Sequence, residues 1–258
     1  MCKIIILQRH APAQRNKLIR AAWSYFSRSG ETDGFGAAWI GKDGRLGWAK
    51  SSAPELSGDL PAWADGFFAH SGLESRSDGG WLLLHGRTAT CGVNVENTHP
   101  MLDDNGTAAL IHNGVVSSET LQNVYSTCDS ELLLHAWDTG GAKGLEQVSG
   151  YFAFALLLRR RDGWHAVVAR DDKARLRVGR ARSGWAWATT DDALATVGAE
   201  PVGDHGQMRA AVFSPDGAPE VQKFRKGAEP RDLSRKWAVA SGAYRPGGEA
   251  LEFWRAGE

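Results

Sequence analysis

YFAFALLLRRRDGWHAVVAR, residues 151–170, reads as two strands joined by a turn. An apolar run of strand length, Tyr151 to Leu158, gives way to RRRDG, and a second run, WHAVVAR, follows at once. Two such runs around a short charged linker carrying Asp-Gly predict a β-hairpin. The same pattern recurs on both sides. GFGAAWIG (34–41) and LGWAK (46–50) flank KDGR, and MRAAVFS (208–214) and PEVQKF (219–224) flank PDGA. CKIIIL (2–7), WLLLHGR (81–87), TAALIHNG (107–114) and WAWAT (185–189) are further strands, and TAALIHNG is expected to end at an Asn-Gly turn. Leu18, Ile19, Ala22, Trp23 and Phe26 give residues 12–28 the spacing of an amphipathic helix. SELLLHAW (Ser130 to Trp137) and Asp191 to Val197 are also helical, with further helices expected after Ser117 and around Leu60 to Phe68. Strands in antiparallel pairs with few helices between them predict an α+β fold of two stacked antiparallel sheets with helices outside.

The 258 residues suit one large domain, and 30 basic residues balance 30 acidic ones. Such a balance gives no reason to bind a nucleic-acid backbone or an anionic membrane. Trp39, Trp48, Trp81, Trp164, Trp185 and Trp187 fall in strand-like stretches and are expected to pack the core. The apolar run Ile4 to Leu7 is too short for a signal peptide and nothing else could span a bilayer, so the cytoplasm is the expected compartment. Three cysteines without a CxxC provide neither a disulfide framework nor a zinc site. Cys91 and Cys128 read as packing residues. Cys2 is different. A Met before so small a residue is normally trimmed, which would leave a thiol and a free α-amine on one carbon, a nucleophile joined to a base.

Downstream of Cys2 come HGRTAT (85–90), ENTHPM (96–101), IHNGVV (111–116) and CDSELLL (128–134), in that order. With MCKI they make residues 2 to about 224 resemble the class II glutamine amidotransferase domain, one of the N-terminal nucleophile hydrolases. The resemblance implies a four-layer αββα sandwich. It also implies hydrolysis of the glutamine side-chain amide to glutamate and ammonia through a thioester on Cys2, with no cofactor and no metal. The Asn113 side-chain amide and the Gly114 N–H would form the oxyanion site. Arg87 would grip the substrate α-carboxylate and Asp129 the α-ammonium. The stretch Thr88 to Asn97 resembles the loop that closes over bound glutamine, which brings Thr90, and His99 just beyond it, into the substrate-binding set. As bases, His85, His99 and His112 are read as structural, because the Cys2 amine fills that role.

Thr88 stands where family members often carry an aromatic residue, Cys128 precedes Asp129 where Thr or Ser is common, and ARDDKARLRVGR (169–180) is a loose version of the family's segment. These departures bear on the subfamily. The resemblance implies a glutaminase domain over residues 2–225 and an extension over 226–258, in which Trp237, Tyr244 and Trp254 form either a docking surface or packing anchors. No GxxxxGK[ST] or SGGxDS motif marks an ammonia-using partner domain, so a separately encoded synthase or ligase is the expected acceptor. Two other readings stand beside this one: an N-terminal-cysteine amidohydrolase acting on another amide, and a non-catalytic glutamine-binding regulator.

Overall fold

The computed structural model describes residues 2–8, 12–41, 43–52, 77–90, 92–123, 126–182, 184–215 and 219–225. The expected helix around Leu60 to Phe68, Cys91, and the aromatic residues Trp237, Tyr244 and Trp254 lie outside the described residues. Among the described residues thirteen strands make two sheets, and every pairing is antiparallel. The first sheet is built from β1 (Lys3–Leu7), β2 (Gly34–Gly41), β3 (Leu46–Ser51), β4 (Ser77–Arg87), β9 (Arg177–Ala181), β10 (Gly184–Ala188) and β11 (Glu200–Asp204). Its order is β11-β9-β10-β1-β4-β2-β3. The second contains β5 (Met101–Leu102), β6 (Ala108–Ser117), β7 (Ser149–Arg160), β8 (Gly163–Arg170), β12 (Arg209–Phe213) and β13 (Glu220–Lys223), in the order β13-β12-β8-β7-β6-β5.

Strand alternation sorts the apolar side chains into three layers of core. Ile5, Leu7, Leu82 and Leu84 face outward from the first sheet. There they pack under α1 (Pro12–Arg28), which contributes Ile19, Trp23 and Phe26, and α3 (Asp191–Thr196), which contributes Ala193 and Leu194. Leu110, Phe152, Phe154 and Leu156 face outward from the second sheet under α2 (Ser130–Gly144), whose Leu133 and Trp137 cover them. Ile4, Ile6, Leu83, Ala109, Ile111, Ala153 and Ala155 fill the space between the sheets. The order helix, sheet, sheet, helix is the expected αββα sandwich. Of the tryptophans, Trp39 and Trp187 are buried, while Trp48, Trp81, Trp164 and Trp185 are half-buried around the same cores.

Asn113-Gly114 is not a turn. β6 runs straight through it, with Asn113 opposite Ala153 and Gly114 opposite Phe152, and the ladder continues to Ser117. An Asn-Gly pair makes a hairpin only where the chain reverses, and here β7 pairs with β6 on both sides of it. Glycine's freedom serves another end: at φ 149° a Cβ on Gly114 would lie 2.1 Å from the Tyr151 carbonyl oxygen. No helix follows Ser117 among the described residues either. The Ser118 hydroxyl accepts from the Thr120 and Leu121 N–H groups and folds this stretch into a turn. β9 and β11, which sequence periodicity does not reveal, extend the edge of the first sheet.

Candidate active site

Cys2, Arg87 and Asn113 each stand at the end of a strand stripe that faces the inter-sheet core. Cys2 continues the alternation of Ile6 and Ile4, Arg87 that of Leu83 and His85, and Asn113 that of Ala109 and Ile111. β1 and β4 are antiparallel with Lys3 opposite Gly86, which puts Cys2 beside Arg87, and both strands pack on β6. The half-buried Cys2 thiol donates to the Thr88 carbonyl at 3.4 Å. A Lys3–Glu31 ion pair of 2.8 Å ties the start of β1 to the segment leaving α1.

Arg87 is buried and donates from Nη2 to the Gly92 carbonyl at 2.9 Å. The loop after it is stitched down rather than loose. Ala89 N–H donates to Asp33 Oδ2 at 2.7 Å, and Asn97 Nδ2 donates to the Gly92 carbonyl and to Thr127 Oγ1. Thr127 N–H returns a bond to Asn97 Oδ1 at 3.0 Å. Asn97 thereby joins the loop to the segment that delivers Cys128 and Asp129. Thr90 is exposed on this loop. Its far end, His99, lies over Gly36, where a Cβ would meet the His99 carbonyl oxygen at 1.8 Å.

Asp129 stands at the N-cap of α2 without capping it; its Oδ2 accepts the Val116 N–H at 2.6 Å, two residues beyond Gly114. Ser130 next to it meets His112 Nδ1 at 2.8 Å, so the helix start is pinned to β6 twice. Asn113 is buried, and its side-chain oxygen has no partner among the described residues. Its amide is therefore not fully engaged in holding the fold.

Burial sets the electrostatics. It pushes the Cys2 thiol up to about 11, against the favourable charge of Arg87. It pushes the Asp129 carboxyl up to about 7, with the neighbouring Cys128 adding to the effect and the Val116 N–H opposing it. Cys128 itself is buried, as a packing residue should be, but its sulfur also lies 3.8 Å from Asp129 Oδ1 and 3.4 Å from Ser130 Oγ. His85, His99 and His112 form a buried group in which the His85 and His99 rings lie 4.0 Å apart. His85 Nε2 meets the His112 carbonyl at 3.0 Å and so links the sheets. Burial lowers His85 and His112 to about 3 and His99 well below its usual range, so all three are neutral. Among the described residues no group of three or more His, Cys, Asp or Glu side chains could hold a metal ion. No described helix is long and apolar enough to cross a membrane.

Three residues join this region that the sequence did not single out. Lys50 extends the inward stripe of Leu46 and Trp48 on β3; it reaches the Pro100 carbonyl at 3.4 Å, and burial lowers it to about 8. Asn97 is the stitch described above. Tyr151 faces the inter-sheet side of β7 opposite Val115. Only the pairing of two sheets brings these residues together; the inward parity of Lys50 was the one local signal.

Two stacked antiparallel sheets thus bring Cys2, Arg87, Asn113 and Asp129 to one end of the space between them. The chain belongs to the glutamine amidotransferase domain family, whose family model matches residues 71–205. Among solved structures it is similar to the glutamine phosphoribosylpyrophosphate amidotransferase from B. subtilis complexed with ADP and GMP, at 18% identity and a TM-score of 0.62. It is equally similar to a structure described as the allosteric regulatory enzyme of purine biosynthesis, at 19% identity and a TM-score of 0.62. In each case 86% of this chain is covered but 49% of the other, so the chain spans about half the length of these neighbours. At such identities the likeness is one of fold. No curated protein sequence matches the chain.

Proposed function

We propose that the chain hydrolyses the side-chain amide of L-glutamine through a thioester on Cys2 and hands the ammonia to a separately encoded acceptor enzyme. The observation that carries this reading is the convergence of Cys2, Arg87, Asn113-Gly114 and Asp129, from four separate elements, on one end of the inter-sheet space. An α-carboxylate would find Arg87 and an α-ammonium Asp129, two fixed charges that an apolar acyl amide would not use.

A thiol held near 11 is protonated at neutral pH and needs a base within reach. Removal of Met1 would expose an α-amine of unperturbed pKa about 7.7–8.0 on the carbon that bears the thiol. The amine takes the thiol proton as sulfur bonds to the amide carbon. The Asn113 amide and the Gly114 N–H stabilise the oxyanion. The carbon–nitrogen bond then breaks, the proton passes to the leaving nitrogen, and ammonia departs. Water, deprotonated by the same amine, attacks the thioester; the proton returns to sulfur as glutamate leaves. Thr90, exposed on the loop, and His99, at its far end, complete the proposed substrate set. The proposed domain runs over residues 2–225, with 226–258 as an extension.

The test is ammonia release from L-glutamine. We expect turnover in the mature chain and none above background in a folded Cys2→Ala variant. Unchanged release in that variant would remove the catalytic assignment.

A further inference from the structure

We propose that Tyr151 is a further substrate-positioning residue: its phenol oxygen accepts a hydrogen bond from the α-ammonium of glutamine beside Asp129. The proposal rests on the glutamine reading above.

Tyr151 opens β7 in the parity of Ala153 and Ala155, so its ring packs against the core between the sheets, on the side shared by Cys2, Arg87 and Asn113. Its backbone is fixed with unusual closeness: the Tyr151 carbonyl occupies the space a Cβ on Gly114 would need. The root of the side chain therefore has a set position relative to the proposed oxyanion site. It lies opposite Val115, next to the Val116 N–H that holds the Asp129 carboxylate.

Burial, and after it the nearby Asp129, Cys2 and Asp171, raise the pKa of the phenol, so it stays neutral and keeps its lone pairs available. Tyr151 is only half-buried, and its hydroxyl makes no hydrogen bond among the described residues. The side chains of Phe152 and Phe154 in the same strand are spent on the outer core. A polar group that faces this site, makes no hydrogen bond among the described residues and lies within electrostatic reach of a carboxylate and a thiol suits a cationic N–H donor. Glutamine's α-ammonium is that donor, and Asp129 alone cannot satisfy its three hydrogens.

The experiment measures equilibrium binding by calorimetry in the Cys2→Ala background, where the ligand is not consumed, with and without Tyr151→Phe. The ligands are L-glutamine and its analogue lacking the α-amine, glutaric acid monoamide. Tyr151→Phe keeps the ring, and a thermal melt checks the fold. The expected result is a loss of about tenfold for L-glutamine, the scale of one hydrogen bond to a charged group, with the analogue unaffected. Equal losses on both ligands, or no loss on either, would overturn the role of Tyr151 while leaving the glutamine reading intact. No binding of L-glutamine by either protein would overturn both.

Discussion

At the scale of single residues, Cys2 and Asp129 each combine an ordinary functional type with a buried environment that resists the charged form. Asp129 is the clearest case. In the proposed role its carboxyl, raised to about 7 by burial, must be ionised to hold an ammonium. Glutamine should therefore bind more tightly as pH rises through 7, seen as a falling KM between pH 6 and 8, and Asp129→Asn should abolish that dependence. The same shift sets the stability consequence. A carboxyl whose folded pKa exceeds its unfolded value contributes stability at low pH and loses it as pH climbs through the folded value. Asp129→Asn should thus melt higher than the parent at pH 8, by about 2–4 °C for each kcal/mol relieved. A KM flat across this range, with an unchanged melt in the variant, would contradict the assignment. Cys2 follows the same logic with the opposite remedy, since its proton needs a base attached to the same residue.

At the scale of elements, strand parity is what turns scattered residues into a site. Arg87 stood out in the sequence because it ends an apolar run, where a polar side chain needs a reason to be present; Cys2 stood out by its place after Met1, and Asn113 by the family resemblance of IHNGVV. Tyr151 and Lys50 did not stand out, because parity, the one local signal, does not tell a strand residue facing a second sheet from one facing solvent. The Asn113-Gly114 pair misled in a physically instructive way. Its turn chemistry is real, but ten residue pairs of β6–β7 ladder outweigh it, and the glycine's positive φ is spent on close approach to Tyr151. Gly114→Ala should therefore damage both fold and chemistry. The new methyl would meet backbone at 2.1 Å, which the strand relieves only by shifting. A cost of about 1–3 kcal/mol in urea unfolding is expected, together with a severe fall in turnover. Wild-type stability and activity in this variant would show that the strand does not hold the geometry described. Residues 177–181 and 200–204 escaped a sequence reading for a plainer reason: β11 is an exposed edge strand, and β9 beside it buries only Gly179 and so carries no apolar stripe.

At the scale of the whole molecule, paired hairpins made two stacked antiparallel sheets with helices outside readable, the four-layer αββα order came from the family resemblance, and family membership follows from the match over residues 71–205. The buried histidines give the molecule a pH signature of its own. His85 and His112 are lowered to about 3, His205 to about 4 and His99 well below its usual range, each chiefly by burial. Groups with depressed folded pKa values add stability above their unfolded value, about 6.5, and lose it as pH falls toward the folded value. Asp129 opposes them between about 4 and 7, but one carboxyl is set against four imidazoles. The urea midpoint should accordingly drop between pH 7.5 and pH 5.5; a constant or rising midpoint would mean these rings are charged or solvated in the folded chain. The central claim is that Cys2 works as the leading residue of the mature protein. Peptide mass spectrometry of active protein, acid-quenched during turnover of L-glutamine, tests it most directly. The account predicts that Met1 is absent and that a glutamyl group is carried on the Cys2 sulfur; fully active protein that retains Met1, or a glutamyl adduct on any other residue, would contradict it.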